Sequence, residues 1–242
     1  MKVDGDTDPL AGLWPLFGLV IQTPALRLRL PREAELPALA RAARDIAGSG
    51  EPRLQMSWMY DDSPAMERQV LQRHWRALAH WRPESWHLLL AVFADSEPIG
   101  IQGMWADDFA RCRSVGTGSW ITRGRQGRGY GTEARIAVLQ LAFGHLGALE
   151  AHTEYLDGNR ASERVSRKLG YTPNGRHAVY RDDNGCLTEY RLRFDRLQWQ
   201  AASWRDGIAV NGLAPCAPLF GVTAPGRTDD TPSASRTAEG GP

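Results

Sequence analysis

Lysine is almost missing from this chain: Lys2 and Lys168 are its only lysines among 29 basic residues, and basic and acidic side chains cancel to a formal charge of +1. A general nucleic-acid or membrane-surface binder needs a strong basic excess, so neither nucleic acid nor membrane is expected as a partner. Cysteine is scarce as well. Cys112, Cys186 and Cys216 are odd in number and form no C-x-x-C pair, which argues against a disulfide framework or a zinc site and fits a reducing cytoplasm. The six histidines show no H-E-x-x-H spacing, so they read as structural or surface groups and no metal is expected. Long apolar runs are absent too. The stretch Leu10 to Ile21 is too short to span a bilayer, Pro15 interrupts it, and Asp4, Asp6 and Asp8 stand where a signal peptide needs positive charge. No internal repeat is visible.

What is present is enough for one sizeable core: 242 residues with 42% hydrophobic content. Leu26 to Leu30 alternates with period two and reads as the first strand, followed by an alanine-rich helix over Glu33 to Ile46 that Gly48 and Gly50 end. Pro64 to Trp81 places Met66, Val70, Leu71, His74, Trp75 and Leu78 on one helical face. Strands over Trp86 to Ala94 and Pro98 to Trp105, joined by the turn-like Asp95 to Pro98, should pair antiparallel. A further strand covers Val115 to Ile121, a helix Thr132 to Leu146 with Gly147 as its stop, and a strand Leu149 to Tyr155. Two late strands, near Ala178 to Arg181 and Leu187 to Phe194, flank the hairpin signal Asp183-Asn184-Gly185. Residues 1–22 read as a segment packed on a domain of residues 23–196. Residues 197–222 form an extension, and the Pro-, Gly-, Ser- and Thr-rich residues 223–242 a disordered tail.

Between the strand ending at Ile121 and the helix after it lies a glycine- and arginine-rich loop. Alternate glycines let backbone N–H groups turn inward, the helix start adds partial positive charge, and Arg123, Arg125 and Arg128 add full charges. An anion with a pyrophosphate is the ligand this suits. A P-loop requires Lys-Ser or Lys-Thr after its last glycine, but Gly131 is followed by Thr132 and no lysine lies near. A Rossmann fingerprint requires G-x-G-x-x-G; Gly127, Gly129 and Gly131 run G-x-G-x-G, so that reading survives only on Glu150 at a suitable distance downstream.

A third pattern, Q/R-x-x-G-x-G/A, is met by Gln126, Gly129 and Gly131, and a second motif, N-x-x-S…K-L-G-F/Y, by Asn159, Ser162, Lys168, Leu169, Gly170 and Tyr171. Together they resemble the GNAT acyltransferase superfamily in its RimJ/RimL-like branch. The resemblance implies an α/β GNAT fold: a mixed, mostly antiparallel sheet with a central splayed pair of parallel strands and helices on both faces. It also implies acyl transfer from acyl-CoA to a primary amine of a protein, peptide or small molecule, without a metal. Acetyl-CoA is the implied donor and succinyl-CoA the alternative. On that footing Trp120, Ile121 and Thr122 end the splayed strand, where a backbone N–H meets the thioester carbonyl. Gln126, Gly127, Arg128, Gly129, Tyr130, Gly131 and Thr132 cradle the coenzyme A pyrophosphate, and Asn159 and Ser162 complete the site. Ser162 is the implied general acid for the departing thiolate, while Asn159 read on its own is an N-cap and Ser162 on its own a first-turn serine.

Other roles are less sharply marked. An amine that is protonated at neutral pH needs a base; Glu154 is the leading residue, a water-relayed proton the alternative, and Asp107 and Asp108 lie in a nearby loop. The segment Gly48 to Ser63 brings Trp58, Met59, Tyr60, Asp61 and Asp62, which suit a cationic amine or a lid packed over the helices. Arg111 and Arg113 could meet a succinyl carboxylate or be surface charges. The extension, with Trp199, Trp204, Cys216 and Phe220, folds back over the sheet, makes a subunit contact in a homodimer, or narrows the acyl pocket. A module that binds acyl-CoA without turnover is the remaining alternative.

Overall fold

The computed structural model describes residues 8–47, 64–181 and 185–222. The segment Gly48 to Ser63, Asp183 and Asn184 of the expected hairpin signal, and the residues from Thr223 on lie outside them. The sheet is organised around a hairpin of β3 (Ser85–Ala94) and β4 (Glu97–Asp107), antiparallel from Ser85↔Asp107 to Ala94↔Glu97. Asp95 and Ser96 both take positive φ, 52° and 65°, the conformation that a two-residue connection between twisted strands needs. β5 (Ser114–Ile121) adds antiparallel to β4, and β6 (Glu150–Leu156) adds parallel to β5. β7 (Thr172–Arg181) and β8 (Gly185–Asp195) form a second hairpin docked through β8 on β6.

Alternation along β3 supplies two cores. Ala91 and Phe93 face α1 (Leu36–Ala47) and α2 (Ala65–Ala79), where Leu36, Leu39, Ala43, Met66 and Val70 are buried with Trp120. Leu88, Leu90 and Val92 face the other way, into a larger core that holds Ala134, Ala137, Val138 and Leu139 of α4 (Tyr130–Leu139). α4 runs on into a π-helical turn, Gln140–His145, and Gly147 at φ 78° follows it. The α5 helix (Arg160–Leu169) packs beside α4 and ends at Gly170, φ 90°. Helices thus cover both faces of the sheet.

The edge strands differ from the reading of Leu26 to Leu30 as the first strand. That stretch forms β2 (Arg27–Arg29), but β1 (Val20–Gln22) precedes it and pairs on its far side with β9 (Ala209–Asn211) from the extension. Unlike Leu26 to Leu30, β1 and β9 have no longer alternating run around them to mark them in sequence. The full order is β7-β8-β6-β5-β4-β3-β2-β1-β9. A Trp81–Trp86–Phe220 aromatic cluster, with Trp14 edge-on to Trp81 and Trp81 Nε1 donating to Leu219 O at 2.8 Å, fastens both termini to β3. Cys216 is buried in the same cluster; burial pushes its thiol up to about 11. All three cysteines are free. No helix among the described residues is long and apolar enough to cross a membrane.

Candidate active site

β5 and β6 are hydrogen-bonded only at their start, from Ser114↔Glu150 to Gly116↔His152, while β5 continues to Ile121 and β6 to Leu156. Beyond that point side chains replace the ladder: Thr117 Oγ1 donates to His152 O at 3.1 Å and Thr153 Oγ1 to Thr117 O at 3.0 Å. The strands therefore splay, and two cavities meet at the gap.

The first cavity, about 290 Å³, lies between the glycine loop and α5. Gly127 and Gly129 have φ of 76° and 86°, a region costly to residues with a Cβ. Gly129 caps α4, so the N–H groups of Tyr130, Gly131 and Thr132 have no intrahelical acceptor. Asp45 at the end of α1 holds the loop's entry, accepting from Thr122 Oγ1 at 2.7 Å and from Gly124 N at 3.2 Å. Those two donors, the Thr122 hydroxyl first, keep its carboxyl below the usual range. Gln126 Nε2 donates back to Ile121 O at 2.8 Å, closing the loop on the strand it left. From the other wall α5 presents Ala161, Arg164, Val165 and Lys168 at helical spacing on one face. Amides, a helix start and cations converge here, an arrangement that fits a phosphate-bearing ligand.

The second cavity, about 280 Å³, lies under α1 and α2 and shares Ser119, Trp120, Arg135, Asn159 and Ser162 with the first. Its floor is Trp105, whose indole lies across β5. A Cβ on Gly116 would sit 2.2 Å from Trp105 Nε1, and one on Gly118 3.3 Å from its ring, so these two glycines in mid-strand are space for that ring. His87 packs on Trp105 with ring centroids 5.2 Å apart. Burial first, then the Arg73 guanidinium, push His87 down to about 4; burial likewise lowers His74. Both imidazoles are neutral at pH 7. Glu154 lines this cavity and pairs with Arg191 Nε at 3.2 Å. Asn159 Oδ1 accepts from Ser162 N at 3.1 Å, capping α5 and holding its first turn at the junction of the two cavities. The Ser162 hydroxyl makes no hydrogen bond among the described residues and is free for a ligand.

The Acetyltransferase (GNAT) domain family matches residues 25–172, more than half of the chain. The chain belongs to the GNAT acetyltransferase family. Solved structures with the same fold include RimL, a ribosomal-protein alpha-N-acetyltransferase in complex with coenzyme A (18% identity, covering 73% of this chain and 99% of that one, TM-score 0.58). Mycobacterium smegmatis RimJ with CoA-disulfide is similar at 20% identity, 76% and 90% coverage and TM-score 0.59. A GNAT-family acetyltransferase from Bacillus anthracis matches at 15% identity, 74% and 99% coverage and TM-score 0.59.

In this GNAT chain Trp120, Ile121, Gln126, Gly127, Gly129, Tyr130, Gly131, Thr132, Asn159 and Ser162 all line the first cavity. Thr122 and Arg128 do not: Thr122 is engaged by Asp45, and Arg128 is exposed. Arg125 lines the cleft while tied to Glu97 at 2.5 Å. Arg111 is exposed beside Asp108, and Arg113 donates to Leu146 O at 3.1 Å at the opposite end of β5, so neither reaches either cavity. Asp107, which accepts from Ser85 Oγ at 2.6 Å, lines a third cavity that shares Arg73, His87, Leu89 and Trp105 with the second; Asp108 is the N-cap of the short helix α3 (Phe109–Cys112). Residues 197–222 line none of the three cavities.

Sequence reading missed several GNAT site residues. His74 and His87, read as structural or surface groups, line the second cavity, and so do Trp105 and Arg135. The Gly116 and Gly118 pair was the available signal for Trp105, since mid-strand glycines mark a close approach. Arg164 and Lys168 follow Ala161 at i+3 and i+7, a helical-face signal that Asn159 and Ser162 overshadowed. No group of metal-binding side chains occurs among the described residues.

Proposed function

We propose that this GNAT chain transfers an acetyl group from acetyl-CoA to a primary amine by direct attack. The observation that carries the reading is the splay of β5 from β6, with unpaired loop amides on one side and an acceptor-sized cavity on the other. The amides of Tyr130, Gly131 and Thr132, with Arg164 and Lys168, bind the pyrophosphate. The unpaired edge of β5 after Gly116 directs an N–H at the thioester carbonyl, and one such donor contributes about 10²- to 10³-fold. The amine nitrogen attacks the carbonyl carbon, a C–N bond forms, the C–S bond breaks, and the thiolate takes a proton from Ser162 Oγ at the start of α5, where the helix dipole favours developing negative charge, as Ser162 regains a proton from solvent. Glu154, or a water beside it, receives the amine's proton.

The acceptor is an amino group on a protein or peptide. RimL and RimJ are similar in fold. A third cavity of about 280 Å³ adjoins the second, with Arg73, His87, Leu89 and Trp105 lining both, and offers room for residues beyond the reacting amine. The test is release of coenzyme A thiol from acetyl-CoA with peptide N-termini, lysines, aminoglycosides and polyamines as acceptors. Amine-dependent release supports the reading; binding of acetyl-CoA with no release from any of them supports the non-catalytic module. For the base, Glu154→Gln should shift or remove the acidic limb of the pH–rate profile, and an unchanged profile and rate would exclude it.

A further inference from the structure

Arg135 stands where the two cavities meet, and it is an unusual residue to find there. It is 3% exposed, yet among the described residues no carboxylate pairs with it. Nη1 donates to Thr153 Oγ1 at 3.0 Å on β6, Nη2 to Ser119 Oγ at 3.5 Å on β5, and Nε has no partner. Hydroxyl dipoles do not neutralise a guanidinium, and a buried, unpaired charge is unfavourable. Packing alone would be met by methionine or leucine, and a strut across the splay by glutamine. The one carboxylate lining the second cavity, Glu154, is engaged by Arg191. The cavity therefore holds an unneutralised cation beside the reacting atoms, of the planar, forked kind that suits a carboxylate.

We propose that Arg135 is a specificity residue that binds a carboxylate brought by a substrate. The carboxylate is either the far end of a dicarboxylic acyl group or an acid close to the acceptor amine. The proposal rests on the reading of the cleft as an acyl-CoA site. Arg111 and Arg113, the arginines that sequence suggested for such a role, lie outside the cavities, whereas Arg135 lines both.

Titration calorimetry on the full chain separates the sources. One arm compares succinyl-CoA with acetyl-CoA. The other, at saturating coenzyme A, compares N-acetylglycine with its amide and N-acetylaspartyl amide with N-acetylasparaginyl amide. At least one arm should favour the acid by fivefold or more in the wild type, with the preference lost in Arg135→Gln, partly kept in Arg135→Lys, and any change in coenzyme A affinity smaller than the loss of preference. Ratios below fivefold in both arms overturn the proposal, as does an Arg135→Gln variant that weakens acids and neutral partners alike, the result expected of a strut. Should Arg135→Gln fail to fold, the wild-type ratios and Arg135→Lys decide on the same thresholds. Failure of coenzyme A itself to bind the wild type would instead refute the acyl-CoA reading.

Discussion

On the side of the site assigned to coenzyme A, the lining comes from one stretch of backbone, Gln126 to Thr132 apart from Arg128, with one face of α5 beyond Asn159. On the acceptor side they come from single side chains on distant elements, among them Val70 and His74 of α2, His87 of β3, Trp105 of β4, Arg135 of α4 and Glu154 of β6. The first kind of site depends on φ angles and helix starts and tolerates many side chains. The second depends on which side chains the topology brings together. Substitutions on the two sides should therefore fail differently, the first in coenzyme affinity with the acceptor unaffected, the second in acceptor handling with coenzyme affinity intact.

The largest effect tests the hinge between the sides. Ser162→Ala should lower kcat by about 10²-fold, the lower end of what a general acid supplies, while coenzyme A affinity measured by calorimetry stays within threefold. Next, Gly116→Val drives a side chain into the Trp105 indole; overpacking of this kind costs about 1–3 kcal/mol. A lower midpoint in urea and a raised acceptor KM should result, with acetyl-CoA KM little changed. Gly129→Val is the mirror experiment: a β-branched residue at φ 86° is strained by about 1–2 kcal/mol, so coenzyme A affinity should fall about tenfold with acceptor selectivity unaltered. If Gly116→Val and Gly129→Val gave the same kinetic signature, the division between the two sides would be wrong.

The smallest expected effect concerns pH. Folding lowers the His87 and His74 pKa values, so the unfolded chain binds more protons below about 6.5. Stability is then fully present above that value and is lost as pH falls toward about 4, where His87 titrates in the fold. Urea midpoints between pH 7.5 and 4.5 should show this decline, and His87→Gln should make it shallower.

How much could be read beforehand follows the same division. The loop glycines, the Asn159 cap and the order of strand, loop, helix, strand and helix are local, and local spacing survives in sequence. The β3–β4 hairpin was legible because Asp95 and Ser96 sit between long alternating runs. β1 and β9 were not, since three residues paired across nearly the whole chain, Ile21 with Val210, leave no periodic trace. Arg135 sits one residue after the buried Ala134 and reads as an ordinary helix arginine until the splay shows what it points into. Trp105 is similar: only the glycines it covers, on another strand, betray it.

In the proposed function, free amides of the glycine loop grip coenzyme A. Hydrogen–deuterium exchange with and without coenzyme A tests it directly. Peptides covering Gln126 to Thr132, and those covering Arg160 to Lys168, should become the most strongly protected on binding. Saturation by coenzyme A with no protection in the loop, or with protection confined to other elements, would contradict it.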